Sequence, residues 1–92
     1  MSRITVTPLE PGRFSVEVND EGASTAHRVV VPDDFLEELG LAEVDPAEVV
    51  QESFGFLLDR EPATSILRDF SLDQISRYFP EYHDELRTRM GL

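Results

Sequence analysis

The chain has 92 residues with 19 acidic side chains against 8 basic ones, all of them Arg, so its formal net charge is −11. A chain of this length is expected to form a single domain over residues 1–92, with a strand-rich part at 1–32 and a helical part at 33–92. Because it contains no Cys, disulfides, thiolate metal sites and thiol nucleophiles are excluded.

Three segments of alternating apolar and polar residues at the start of the chain predict β-strands. In the second segment Phe14, Val16 and Val18 share one face, and polar side chains occupy the other. Turn signals, a Pro-Gly pair at 11–12 and the run NDEG at 19–22, separate the segments. This pattern predicts a three-stranded antiparallel β-meander with one buried face. The segments are residues 3–8, 13–19 and 24–32.

Four or five short α-helices are predicted after Pro32, and they must pack on the one buried face of the sheet, which makes the fold class α+β. The helix predicted to begin at Asp45 has Pro46 in its first position and Glu48 as the second half of a capping box. Gly55 within it is expected to admit the backbone of another element. The expected segments are 33–40, 45–62, 71–80 and 81–90, with a helix or turn at 62–70.

The negative charge is concentrated in the middle third of the chain. Residues 33–61 carry ten acidic side chains and one Arg, whereas the two flanking thirds are each close to neutral. Such a surface repels nucleic acid and membranes and attracts basic partners. Solubility alone would also account for it.

The stretch SILRDFSLDQISRYFPEY, residues 65–82, is the densest run of large apolar side chains. Leu72, Ile75 and Phe79 form one helical stripe, which is typical of core packing. The sheet is small, however, so some of the aromatic side chains are expected at the surface beside Arg77, as in an interface anchor. The aromatic side chains concerned are Phe70, Tyr78, Phe79 and Tyr82.

Two stretches of the sequence have features of DNA-binding proteins. A helix-turn-helix over residues 70–90 would place Glu81, Asp84 and Glu85 at the start of its recognition helix, which DNA would repel. The segment VVVPDDFLEELGL, residues 29–41, resembles the strand–proline–helix segment of swapped-hairpin transcription factors of the AbrB type. Asp33 and Asp34 occupy positions at which that family has basic residues. The resemblance therefore implies the local backbone geometry and does not imply DNA binding.

A longer resemblance rests on the stretches SFGFLLDREPATSILRDFSL and RYFPEY. With the strand-rich half before them, they make the chain resemble a group of short prokaryotic proteins of unknown function over most of its length. The resemblance implies no activity.

The sequence predicts no catalytic residues, no cofactor and no metal ligands. The chain lacks a phosphate-binding Gly-rich loop and a zinc motif, and its two imidazoles are His27, expected to be partly exposed on a strand, and His83. His83 lies near Glu81, Asp84 and Glu85 in the sequence. One His among carboxylates is not a spacing typical of a metal-binding motif, so this set does not indicate a metal site. We therefore expect a protein that is not an enzyme.

The leading functional hypothesis is a small cytoplasmic interaction or regulatory module that binds a basic protein partner or associates with itself, a homodimer included. The alternative is an acidic nucleic-acid mimic, an antitoxin-like inhibitor of a nuclease or of a DNA-binding protein. The cytoplasm is expected because no apolar run reaches the length of a membrane span and the start shows no signal peptide. The predicted interaction residues are Glu37, Glu38, Glu48, Glu52, Arg77, Tyr78 and Tyr82.

Overall fold

A computed structural model describes residues 3–20 and 22–91. Part of the predicted single domain, and Glu21 of the second predicted turn, lie outside the described residues. The described residues also form two 3-10 turns, Ala63–Ser65 and Leu72–Gln74. The strands and α-helices, in chain order, are β1 (Arg3–Glu10), β2 (Arg13–Asp20), β3 (Ala23–Val30), α1 (Asp33–Glu38), α2 (Pro46–Leu58), β4 (Asp69–Ser71), α3 (Ile75–Tyr78) and α4 (Tyr82–Arg89).

The sheet has the order β1-β2-β3-β4. Its first three strands form the predicted antiparallel meander, in register through Val6, Val16 and His27. The expectation of three strands is incomplete, because β4 pairs in parallel with β3 and places Phe70 opposite Val29. A strand of three residues is too short to show an alternating pattern, so β4 could not be predicted from periodicity.

Tight turns hold the meander in this register. Gly12 between β1 and β2 has a φ of +78°, which a glycine adopts without steric cost. Its carbonyl accepts a hydrogen bond of 2.7 Å from the backbone N–H of Val31. A Cβ at Gly12 would lie 3.1 Å from the Val31 carbonyl oxygen, so this position also needs the absence of a side chain.

One face of the sheet is buried and the other faces solvent, as predicted. Phe14, Val16 and Val18 on β2 are buried, whereas Glu17 between them is exposed. The thirteen-residue helix α2 covers this face, packing against β1, and it is the most deeply buried helix. Its fully buried side chains include Val49, Val50, Phe54 and Phe56.

The ends of α1 and α2 follow local signals in the sequence. Gly40, with a φ of +74°, ends α1 in a Schellman motif in which Leu41 N–H donates to the carbonyl of Leu36 at 2.7 Å. At the start of α2, Asp45 Oδ1 accepts a hydrogen bond of 3.0 Å from Ala47 N–H, and Pro46 follows the cap. Both boundaries were predicted.

The C-terminal helical part differs in detail from the prediction. The segment expected to form a helix or turn at 62–70 is a 3-10 turn that leads into β4. The Ser71–Gln74 capping box starts a 3-10 turn, and only four residues continue as α3. Helix α4 packs on α2 and also contacts α3. Among the described helices, none combines the length and the apolar character needed to cross a membrane.

Candidate interaction sites

The first candidate site is the acidic segment, residues 33–48, which contains seven carboxylates and no basic residue. All seven side chains are exposed. Among the described residues, none of the ion pairs involves any of them. The carboxylates are those of Asp33, Asp34, Glu37, Glu38, Glu43, Asp45 and Glu48.

In α1, the helical period explains why the acidic side chains face solvent. In α1, Phe35 and Leu36 are buried, together with the C-cap residue Leu39, while Glu37 and Glu38 are exposed. Side chains three and four positions apart share a helix face, so burial of the apolar set directs the acidic set outward. The predicted interaction residues Glu37 and Glu38 therefore lie at the surface. Glu48, in the first turn of α2, is exposed as well.

Glu52, the fourth predicted acidic residue, behaves differently because it is paired within the chain. Its carboxylate lies 3.8 Å from Arg89 of α4, which also pairs with Asp59 and, at 3.5 Å, with Glu85. The absence of a side chain at Gly55 leaves space for Arg89, since a Cβ at this position would lie 3.1 Å from Arg89 Nη1. The close approach predicted at Gly55 thus comes from a side chain, and not from a backbone.

Arg60 extends this paired region. Its guanidinium lies 2.8 Å from Glu85 and 3.4 Å from Glu81, and its Cζ is 3.7 Å from the centre of the Phe56 ring. The cation therefore contacts two carboxylates and an aromatic face at once. We call Arg60, Arg89 and the carboxylates that they contact the arginine-paired region.

The prediction that Tyr82 contributes to an exposed interface is wrong. Tyr82 is fully buried between α2 and α1, with ring centres 5.2 Å from Phe56 and 6.3 Å from Phe35. Ser53 Oγ donates to the carbonyl of Val49 at 2.7 Å, so the Tyr82 hydroxyl donates to Ser53 Oγ, also at 2.7 Å. Burial raises the pKa of the Tyr82 phenol well above its ordinary value, and the Ser53 hydrogen bond opposes that shift.

The second candidate site is an apolar groove of about 280 Å3 between the end of α2 and α3. Its floor includes Phe70 and Phe79, whose rings lie 5.9 Å and 5.8 Å from the buried rings of Phe54 and Phe56. At its rim Tyr78 is 71% exposed and Leu67 is 56% exposed. The predicted interaction residue Tyr78 therefore borders a concave apolar surface, and its neighbour Arg77 is exposed.

Leu67 and Glu61 also line this groove, and neither is among the predicted interaction residues. Both lie in the irregular segment between α2 and β4, where no periodicity marks a face. The run SILRDF, which contains Leu67, predicts a helix or turn and does not indicate which of its apolar side chains are exposed.

His27 fixes the position of the groove rim and is not the partly exposed strand residue that was predicted. Its ring is buried and lies 5.3 Å from the Phe54 ring centre. Nδ1 is 2.8 Å from the carbonyl oxygen of Leu67, and Nε2 is 2.9 Å from Thr25 Oγ1. Because the carbonyl can only accept, Nδ1 carries a proton and ties the backbone of Leu67 to β3.

The set around His83 is not arranged for a metal ion. Glu81 and Glu85 contact Arg60, and the His83 ring packs edge-on against Phe35 at 5.9 Å. Across residues 3–20 and 22–91, no group of three or more His, Asp or Glu side chains is placed to hold a metal.

No family model, curated protein or solved structure matches this chain. The resemblance to short prokaryotic proteins therefore stays a prediction.

Proposed function

We propose that this chain is a small interaction module that binds a basic protein partner through the acidic segment. The supporting observation is that its seven carboxylates are exposed and are not used in ion pairs among the described residues. A surface of one sign attracts an oppositely charged partner over distances near the Debye length and speeds its association. A Cys-free chain suits the reducing cytoplasm, where we place this interaction.

Three carboxylates of this segment can be neutralised with little effect on the fold. Glu37 and Glu38 are exposed on α1, and Glu48 is exposed in the first turn of α2. Asp45 is left intact in the test because its side chain caps α2. Glu52 is left intact because it pairs with Arg89.

The test compares two triple variants that each remove three negative charges. The first is Glu37→Gln, Glu38→Gln and Glu48→Gln in the acidic segment. The matched control is Glu10→Gln, Glu17→Gln and Asp69→Asn, which lie exposed on the sheet. Both have the same net charge, so a difference between them reports the position of the charge.

The measurement is retention of binding proteins by the tagged full-length chain, identified by mass spectrometry, with low-salt and high-salt washes. We expect a basic protein that the wild type and the control retain at low salt and that the acidic-segment variant loses. For that purified protein we expect association about tenfold slower with the acidic-segment variant. Equal binding by the two triple variants would contradict the proposal.

The same partner distinguishes a nucleic-acid mimic from an ordinary interaction module. A mimic occupies the groove that nucleic acid would occupy, so added DNA or RNA should displace the chain from its partner. An ordinary module leaves nucleic acid bound in a ternary complex. Light scattering of the purified chain tests self-association, which would assign the interface to a second copy.

A further inference from the structure

We propose that the apolar groove is a second docking site, which takes a short segment of a partner protein with a large apolar side chain next to a Lys or Arg. This inference goes beyond the acidic segment and does not depend on it. It rests on the shape of the groove, the exposure of its rim and the single charge in its wall.

The size of the groove favours a short segment. Its volume of about 280 Å3 lies at the lower end of the range for binding pockets and suits a few side chains. A stable dimer between two copies needs about 800 Å2 of surface on each subunit, far more than such a groove presents. A peptide that inserts one or two anchor side chains matches this size.

The rim has the composition of an anchor site. Tyr78 and Leu67 are among the most exposed large apolar side chains of the described residues, and they border the same groove. An inserted apolar side chain would cover both of them and would contact Phe70 and Phe79 on the floor. Desolvation of such a central aromatic cluster provides most of the binding free energy in typical interfaces.

The charge of the groove determines what flanks the apolar anchor. Among the described residues that line the groove, Glu61 alone is charged. Its half-buried side chain takes part in no ion pair among the described residues. The groove also lies at the C-terminal end of α2, where the helix dipole adds partial negative charge. A cation of the segment that reaches Glu61 is therefore favoured, and a carboxylate at that point is disfavoured.

The test begins with selection from a displayed library of random short peptides against the immobilised full-length chain. We expect enriched peptides to share a large apolar residue within one or two positions of a Lys or Arg. Enriched peptides without that pairing, or no enrichment at all, would overturn the proposal. The selected peptide is then synthesised with a fluorescent label and its Kd is measured.

Variants locate the binding site with a matched control. Leu67→Ser and Tyr78→Ser should each raise the Kd about tenfold or more, because each removes part of the apolar rim. Leu9→Ser changes a side chain of similar exposure, 53%, on β1 and should leave the Kd unchanged. Equal effects of Leu9→Ser and Leu67→Ser would overturn the assignment to the groove.

Charge exchange tests the role of Glu61. Glu61→Gln should raise the Kd about two- to fivefold, as expected for a partly exposed ion pair. Glu61→Arg should weaken the basic peptide further and should strengthen binding of the same peptide with Glu in place of its basic residue. If the peptide charge has no effect on either protein, the basic flank is wrong.

The acidic-segment triple variant separates this proposal from the proposed function. It should bind the peptide within about twofold of the wild-type affinity if the groove is the site. Loss of peptide binding in that variant, with retention in Tyr78→Ser, would show that the peptide binds the acidic segment and would overturn the groove proposal.

Discussion

Two regions of this molecule are rich in carboxylates. In the acidic segment the carboxylates are exposed to solvent, whereas in the arginine-paired region they form ion pairs. In the acidic segment seven carboxylates are exposed, and within residues 3–20 and 22–91 none of them forms an ion pair. In the arginine-paired region, Arg60 and Arg89 from separate elements meet four carboxylates between α2 and α4. A count of acidic residues therefore overstates the accessible negative charge of the arginine-paired region. In the acidic segment the count equals the accessible charge, because no ion pair among the described residues involves these carboxylates.

The largest effect on the arginine-paired region is expected from removing the side chain of Tyr82, which packs α4 against α2. Tyr82→Ala should lower the free energy of unfolding by about 3–5 kcal/mol, because it empties a fully buried aromatic site and leaves Ser53 without its donor. The measurement is urea denaturation. Tyr78→Ala is the control, since 71% of that residue is exposed, and it should change stability by no more than about 0.5 kcal/mol. Similar costs for both would show that Tyr82 is not the anchor.

Alkaline pH should weaken the same anchor without a mutation. The pKa of Tyr82 is raised in the folded chain, so the unfolded chain loses this proton first, above about pH 10. The stabilisation is complete below that pH and falls by about 1.4 kcal/mol for each pH unit above it, until the folded pKa is passed. Urea denaturation between about pH 9 and 12 measures this slope.

The composition of the chain makes this titration easy to interpret. It contains no Lys and no Cys, and it has two Tyr. Tyr82→Phe should therefore reduce the alkaline slope while it preserves the packing of the ring. An unchanged slope in that variant would assign the pH dependence to another group.

Neutralising one carboxylate in each region tests the contrast directly. Glu85→Gln removes an acceptor that lies 2.8 Å from Arg60 and 3.5 Å from Arg89, so it should lower the free energy of unfolding by up to about 1 kcal/mol. Glu38→Gln removes a charge that forms no ion pair in the described part of the chain, and it should leave stability equal or slightly higher. The difference should shrink at high salt. A greater loss with Glu38→Gln would mean that the acidic segment is structurally paired after all.

Features that depend on neighbouring residues in the chain could be predicted from the sequence. The three strands of the meander follow from alternation, and the ends of α1 and α2 follow from Gly40 and Asp45. The exposure of Glu37 and Glu38 follows from the helical period around Phe35. These signals act over a few residues, so no knowledge of the tertiary structure is needed.

Features that depend on distant partners could not be predicted. Strand β4 exists because Arg28 N–H meets the carbonyl of Arg68, forty residues away in sequence. Tyr82 packs against Phe35 and Phe56 and donates to Ser53, and His27 donates to the carbonyl of Leu67, forty residues away in sequence. The groove could not be predicted because Glu61 and Leu67 lie in an irregular segment, where no periodicity indicates which side chains share a face.

The smallest expected effect concerns Gly55, where the arginine-paired region meets α2. Gly55→Ala should gain about 1 kcal/mol from helix propensity, but its Cβ would lie 3.1 Å from Arg89 Nη1 and would push that side chain from Glu52 and Asp59. The two effects nearly cancel, so the net change in stability should stay within about 0.5 kcal/mol. In an Arg89→Gln background the guanidinium is absent, and the same substitution should stabilise by close to the full amount. A double-mutant cycle by urea denaturation measures this coupling, and equal effects of Gly55→Ala in both backgrounds would show that Arg89 does not depend on the glycine.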